Sequence, residues 1–424
     1  MFRALRTRNY RLFATGQIVT NVGTWMQRVA QDWLVLELTG SGIALGLVTA
    51  LQFLPTALFG LWGGVLADRY DKRRLLLVAR TAMGVQALLL GLLVVTGHVQ
   101  LWHVYALAAL LGTTAAVETP ARQSFVVEMV GPEDLPNALG LNAAMFNSAR
   151  IVGPALAGLG INLVGTGWVF LLTAACSVSV IVGLLRIRTG ELERVPIAGR
   201  SRGQLRAGLA YVRRRADLVV PLVLVFVVGT FGMNFQLTLP LMVREVFGRG
   251  AGSFGLLSTS LAVGSLAGAL LATVRTRRPR MRFLLAAALT FGVLEAVTGL
   301  MPTYWALAVM LPLTGTAALT FMTACNTAVQ MGVAAQMRGR VMALYLLCFF
   351  GGTPVGAPVI GWVAETFGPR ASIVVGGLVC AAAAVAIAAL LARRGGLQVP
   401  DLAAEIRHWH RSRPEPGQAP VRAA

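Results

Sequence analysis

From Asn9 to Leu391 the chain alternates between apolar stretches of roughly 20 residues, the length a helix needs to cross a bilayer, and short polar turns. Twelve such stretches stand out, at residues 10–37, 42–67, 75–96, 100–119, 138–163, 168–186, 218–243, 253–274, 283–301, 303–328, 341–363 and 371–392. No period of two runs through them, and backbone amides in hydrocarbon must be paired within the chain, so each stretch is predicted to be helical. The expected fold is an all-α polytopic membrane protein with twelve transmembrane helices in two pseudo-symmetric six-helix bundles. We assign the bundles to residues 1–187 and 218–392, a cytoplasmic central linker to 188–217, and a cytoplasmic tail, expected to be disordered, to 393–424.

The halves resemble one another. A shift of 203 residues places Gly153 on Gly356, Gly158 on Gly361, Gly165 on Gly368 and Leu141 on Leu344, and a shift of 209 places Gly46 on Gly255 and Leu75 on Leu284. Gly and Leu are abundant enough for chance matches, so the repeat is a reading to test. Two six-helix repeats around a central site are the architecture of many secondary transporters.

Polar positions inside the apolar stretches carry the next information, because a charge in hydrocarbon costs about 2.5–3.5 kcal/mol on insertion scales. At 100° per residue, Gln17, Asn21, Thr24, Arg28, Gln31 and Asp32 fall on one face of the first span, opposite Ile18, Val22, Met26, Val29 and Trp33. Similar spacing recurs as Thr230, Asn234, Thr238 and as Thr316, Thr320, Thr323, Thr327, and more weakly as His103, Thr114, Glu118. These are the first helices of four successive three-helix units. The third helices, Ala371 to Ala392 above all, are nearly featureless and expected to face lipid. Threonines and asparagines also join helices by hydrogen bonds worth about 1 kcal/mol or less, and for them packing is an equal reading. Arg28 and Asp32 are different: one turn apart, able to pair, and costly to keep for packing alone. Arg150 is an alternative partner for Asp32 or an anchor for an anionic substrate. Glu295 and Glu37 are placed near the external surface.

Composition agrees with a membrane setting: 56% of residues are hydrophobic and 13% charged, against about a quarter charged in soluble domains. The net charge of +20 is explained by sidedness. With the N-terminus inside, segments assigned to the cytoplasm hold 32 of the 37 basic residues, including Arg80 with the second loop and Arg122 with the loop after span 4. Arg244, Arg249 and Arg370 fall outside, and Arg28 and Arg150 within spans. This positive-inside asymmetry puts both termini in the cytoplasm of a plasma (inner) membrane protein and removes the need for a nucleic-acid partner. No cleaved signal is expected, since the apolar segment after the basic Met1–Arg11 has no small-residue cleavage site. Cys176, Cys325, Cys348 and Cys380 show no ligand spacing and are read as packing residues, with no metal site.

The most specific motif follows span 2: Gly64-Val65-Leu66-Ala67-Asp68-Arg69-Tyr70-Asp71-Lys72-Arg73-Arg74-Leu75-Leu76. It resembles the signature loop of the major facilitator superfamily, Gly-x-Leu-Ala-Asp-Arg-x-Gly-Arg-Lys-x-x-Leu, with Asp71 where that pattern has glycine. A latch is physically sensible here: Gly64 permits close helix contact, Asp68 can face the positive end of another helix, and Arg69 and Arg73 can pair with acids or headgroups. The opening Phe2 to Phe13, then Gly23-Thr24-Trp25-Met26-Gln27, Trp33 to Ser41, Glu118 to Phe125 and Arg150-Ile151-Val152-Gly153-Pro154 are similar to the drug:proton antiporter branch that contains enterobactin-type and macrolide exporters, the transmembrane secretion effector type. Gly153-Pro154 resembles the helix-bending antiporter motif of span 5, though Met145 stands where the fuller motif has glycine.

The resemblance implies a secondary transporter exporting an amphipathic small molecule, a drug, siderophore or secondary metabolite, by proton antiport with alternating access. No Gly-x-x-x-x-Gly-Lys-Ser/Thr loop is present, so no cofactor is expected and the driving force is an ion gradient or the substrate's own gradient; the resemblance implies a proton gradient. Asp32 is the expected proton carrier, tuned by Arg28 or Arg150; Gly64, Asp68, Arg69 and Arg73 form the cytoplasmic gate; Asn21, Trp25, Asn234, Thr316 and Thr320 are cavity candidates. The protein is expected to act as a monomer in the lipid bilayer. Two alternatives stay open: inward symport of a nutrient, and a membrane-embedded enzyme, against which speaks the absence of an HExxH-type pair among His98, His103, His408 and His410.

Overall fold

The computed structural model describes residues 3–193, 204–213, 215–273 and 278–393, and the regular structure there is helical. The expectations for 194–203 and 394–424, most of the linker and tail, lie outside the described residues. Helices are α1 (Arg8–Thr39), α2 (Gly42–Arg69), α3 (Lys72–Val95), α4 (Leu101–Val164), α5 (Thr166–Leu185), α6 (Gln204–Arg213), α7 (Ala216–Val227), α8 (Phe235–Leu241), α9 (Ala251–Thr273), α10 (Met281–Gly299), α11 (Tyr304–Gly332), α12 (Ala335–Phe367) and α13 (Pro369–Arg393). Ten segments of the described residues are long and apolar enough to cross a membrane, so the chain is a multi-pass membrane protein. Neither α1, whose polar stripe lowers its hydropathy, nor the part of α4 after Gly131 is among the ten.

Two expectations about the helices need correction. Residues 120–137 were expected to form a loop holding Arg122, but helix runs on to Met129–Val130 and resumes at once after Gly131. Only Gly131 leaves helical dihedrals, at φ 69° and ψ 176°, a conformation that glycine adopts without a Cβ clash. Arg122 is therefore a helical residue. The seventh stretch is not continuous: α7 gives way to a π-helical turn at Val228–Gly232, the chain breaks at Met233–Asn234, and α8 runs into a second π turn at Met242–Val246. The linker contains α6, whose Val212 is buried and whose Gly208 lies against Arg340 of α12.

Small residues set the helix crossings. In the first half, Gly16, Gly23 and Gly183 bring α1 against α5, where Thr20, Thr173 and Ser179 donate hydrogen bonds to the carbonyls of Cys176, Gly23 and Gly16 at 3.0–3.2 Å. Between the halves, α2 crosses α12, and α9 crosses the second part of α4. Gly42 and Gly46 lie on Gly361 and on Ala357-Pro358; Gly252 and Gly255 surround Gly158, and Gly255 lies on the carbonyl of Pro154. These are the pairs that the internal shifts of 203 and 209 relate. Gly165 and Gly368, matched by the same shift, share one conformation, φ 87° and ψ 165° against φ 91° and ψ 158°. Gly153 packs on Trp25 as Gly356 packs on Thr230. Glycines matched by the shifts thus make similar close contacts.

The described hydrogen bonds between the halves gather at the end that carries Gly40 and Gly368. Ser41 donates to Glu365 at 2.6 Å, Arg244 to the carbonyl of Leu36 and the Gly252 amide to Asn162; one bond lies deeper, from Thr259, eight residues into α9, to the carbonyl of Ile151.

Candidate functional site

Near the middle of α1, Trp25 is flanked by two guanidinium groups. Arg28 stands 5.0 Å from the centroid of its ring and 5.9 Å from that of Phe53 on α2; Arg150 of α4 stands 5.7 Å from the Trp25 ring. Phe146 meets Trp25 edge-on at 5.7 Å, and Phe53 stacks at 6.4 Å on Phe350 of α12. Gly153 makes the cluster possible, because a Cβ there would collide with that of Trp25. The backbone stays helical through Gly153 and Pro154. The cluster joins α1, α2 and α4 to α12 and so lies where the two halves meet.

Three sequence candidates, Trp25, Arg28 and Arg150, are brought together here. Asp32 is one turn further along α1 and only 4% exposed. Among the described residues it forms no ion pair within 4.0 Å with Arg28 or Arg150. Neither guanidinium makes a hydrogen bond to a described residue. Holding each cation within a span costs about 2.5–3.5 kcal/mol, while contact with an aromatic face returns about 0.5–2 kcal/mol. The rings do not balance the two charges. Gln31, beside Asp32, has both amide atoms buried without a partner.

A second polar group lies nearer the Asp71 end and joins α1, α3 and α4. Glu118 accepts from Arg80 at 2.5 Å and from Arg122 at 3.0 Å; Arg80 also donates to Gln17 at 3.2 Å, and Gln17 donates to Asn21 at 2.7 Å. Beside it Gln27 donates to Gln86 at 2.6 Å. Arg80, counted by sidedness with the basic residues of the second loop, has its side chain buried. The signal was present: Arg80 lies eight residues past the start of α3 at Lys72, about 12 Å along a helix that rises 1.5 Å per residue. Asn21 belongs to this network rather than to the aromatic cluster.

The motif after α2 is a set of helix-end contacts. Asp71, the departure from the familiar pattern, caps α3 by accepting from the Arg74 amide at 2.8 Å. Arg73 donates to the carbonyls of Leu184 and Leu185 at 2.6 and 2.9 Å, placing a cation on the negative C-terminus of α5. Lys72 pairs with Glu128 at 2.6 Å. At this end of α2 Gly63 makes a tight approach, since a Cβ there would meet the Ala116 carbonyl of α4. Asp68 is half-buried and Arg69 exposed.

The threonine stripes are mostly satisfied within their own helices. Thr230, Thr238, Thr316 and Thr323 each donate to a carbonyl four residues back, and Thr316 also bonds the Gly264 carbonyl of α9. Thr320 is half-buried. Asn234 is buried at the break in the seventh stretch, donating to the Thr230 carbonyl at 2.8 Å with its own oxygen unpaired. Among the described residues, no hydrogen bond or ring contact links these three candidates to the Trp25 cluster. Glu37 is exposed and accepts from Trp33 and Thr166. Glu295, four residues before the end of α10 at Gly299, turns its side chain inward: it is 3% exposed, packed inside the second half against Gly232 and Gly376, with one carboxyl oxygen unpartnered. All four cysteines are free. A groove of about 390 Å³ between α1, α4 and α5, lined by residues such as Val22, Leu159 and Trp168, holds no charged group.

Comparison with known proteins agrees with the fold. Residues 1–417 match the transmembrane secretion effector family of the major facilitator superfamily. The staphyloferrin A transporter of Staphylococcus aureus is 24% identical over 255 residues, which is 60% of this chain and 64% of that protein. The enterobactin exporter EntS of Citrobacter koseri is 25% identical over 410 residues, 96% of this chain and 89% of that one. Among solved structures, the nucleoside transporter NupG superposes with a TM-score of 0.72 at 13% identity, covering 90% of this chain and 99% of that one.

Proposed function

Because the chain belongs to the transmembrane secretion effector family, we propose that it is a twelve-crossing secondary transporter of two six-helix bundles, exporting an amphipathic small molecule in exchange for protons. The relatives are transporters and exporters by name, which supports transport and favours the outward direction. Both termini are cytoplasmic in this reading, on the strength of the arginine asymmetry. The end carrying Gly40 and Gly368 then faces outside, and it is the closed one. Alternating access would exchange this closure for one near Asp68, Arg69 and Arg73, with α2–α12 and α4–α9 as the rolling contacts.

The observation that carries the coupling mechanism is the position of Asp32. It is a buried carboxyl on the polar face of α1, one turn from Arg28, with no ion pair holding it in one charge state. A coupling acid must gain and lose a proton as its surroundings alternate between wet and dry, and a permanently paired one does so poorly. Glu118, held by two arginines, is the structural counter-example.

The test is proton-coupled transport in proteoliposomes. Asp32→Asn holds the group in a neutral form, so it is expected to abolish accumulation against a gradient and substrate-triggered proton movement, while downhill exchange survives. Wild-type coupling in Asp32→Asn would return Asp32 to a structural role. Labelling of a cysteine at position 200 or 420 from outside intact cells would overturn the orientation.

A further inference from the structure

We propose that the site around Trp25 binds a planar anionic group, an aromatic or conjugated ring system bearing a carboxylate, sulfonate or similar oxyanion, with Arg28 and Arg150 as its anchors. The reading deepens the transport proposal by naming its substrate class, and it rests on that proposal only for the ligand's passage across the membrane, not for its binding.

Several other arginines within or bounding the helices are held by carboxylates or carbonyls. Arg80 and Arg122 share Glu118, Arg278 and Arg215 share Asp217, Arg73 bonds two helix-end carbonyls, and Arg370 bonds the carbonyl of Met301 at 2.6 Å. Arg28 and Arg150 depart from this pattern. Both are half-buried inside the helix assembly, and neither has a carboxylate or carbonyl partner among the described residues. They share one indole ring. Two like charges beside the same ring repel each other, and Asp32 offsets at most one of them. The arrangement keeps an excess of positive charge whichever way Asp32 is protonated.

An oxyanion between the two forks supplies what the protein omits, because a guanidinium offers paired N–H donors suited to a carboxylate or sulfonate. The rest of the cluster specifies what the anion is attached to. Trp25, Phe53, Phe146 and Phe350 present ring faces and edges around the same point, and aromatic surfaces favour offset or edge-on contact with another ring. Phe350 comes from the second half, so a ligand seated here touches both halves and its presence can bias their relative position. A cationic amphipath finds the opposite: aromatic faces already occupied by arginine, and Asp32 as the sole carboxylate named in the site.

Outward passage of such an anion against an inward proton moves charge in the same electrical sense on both legs. Membrane potential, negative inside, would therefore drive export as well as the pH gradient.

The decisive experiment measures binding apart from transport. Full-length protein in phosphatidylcholine nanodiscs is titrated calorimetrically with naphthalene-2-sulfonate and with 2-naphthyltrimethylammonium, which share a ring and differ in charge. The sulfonate is expected to bind saturably and at least tenfold more tightly than the ammonium. Arg28→Gln and Arg150→Gln should each weaken it at least tenfold without altering the melting temperature by more than a degree or two, and Asp32→Asn should tighten it. Equal or tighter binding of the ammonium, sulfonate affinity unchanged in both arginine variants, or no saturable sulfonate binding by folded protein would overturn the inference. The transport reading is judged separately: proton-driven export of a cation would sustain it while this inference failed, and sulfonate binding without proton-linked movement would do the reverse.

Discussion

Replacing Glu118 by glutamine tests whether the buried ion network, missed in the sequence, holds α3 against α4. Glu118 is 6% exposed at its side chain and Arg80 7%, whereas Arg122 is 26% exposed. The amide keeps the shape of the carboxylate and removes its charge. Arg122 can turn toward water or headgroups, so its contribution is discounted. Arg80 has no such exit, and its charge is then met only by neutral amide oxygens, that of the new glutamine and that of Gln17 at 3.2 Å. Leaving one partner of a buried pair uncompensated costs about 3–5 kcal/mol. With an unfolding entropy of about 2.1 cal/mol/K per residue, the 424 residues give roughly 0.9 kcal/mol/K, so Glu118→Gln should melt about 3–6 °C below wild type in detergent. Differential scanning fluorimetry reads this directly. The double variant Arg80→Met, Glu118→Leu removes both charges and should regain most of the loss, because an apolar replacement of a buried pair is often neutral or better. A Glu118→Gln melt within one degree of wild type, or a double variant no better than the single, would refute the argument.

The equivalent crossings predict equivalent variants. Gly46→Ala and Gly255→Ala each drive a Cβ into a facing backbone, overpacking by about 1–3 kcal/mol; both should lower the melting temperature by similar amounts, and neutrality of either would break the equivalence. Arg73→Gln removes the cation from the C-terminus of α5 and should cost about 1–2 kcal/mol, with Arg73→Lys recovering part of it; a lysine variant less stable than the glutamine one would show that charge is not what acts there. Asp68→Asn should slow transport in proteoliposomes at unchanged membrane expression, and wild-type kinetics would reduce the motif to a signal for sidedness.

What the sequence by itself determined follows from solvent and periodicity. Twenty-residue apolar stretches in a chain that must pair its own amides can only be helices, and the glycine shifts of 203 and 209 marked positions that do prove to be the crossings, because only residues without side chains let two backbones meet. The polar face of α1 and the exceptional standing of Arg28 were also legible, since amphipathicity is a local property. What only the tertiary structure decided is which polar groups satisfy one another. Arg80, 38 residues from Glu118, is neutralised by it, whereas Arg28, four residues from Asp32, is not paired with it, and nothing in their spacing distinguishes the cases. Helix breaks were likewise hidden: Gly131 is one glycine among 47, and the π turns around Asn234 depend on how α12 and α13 pack beside them. Glu295 shows the same limit, because the apolar run around it is alike whether its carboxyl turns to the surface or to the interior. Pairing in hydrocarbon is settled by which helices become neighbours, and neighbours are a property of the whole chain.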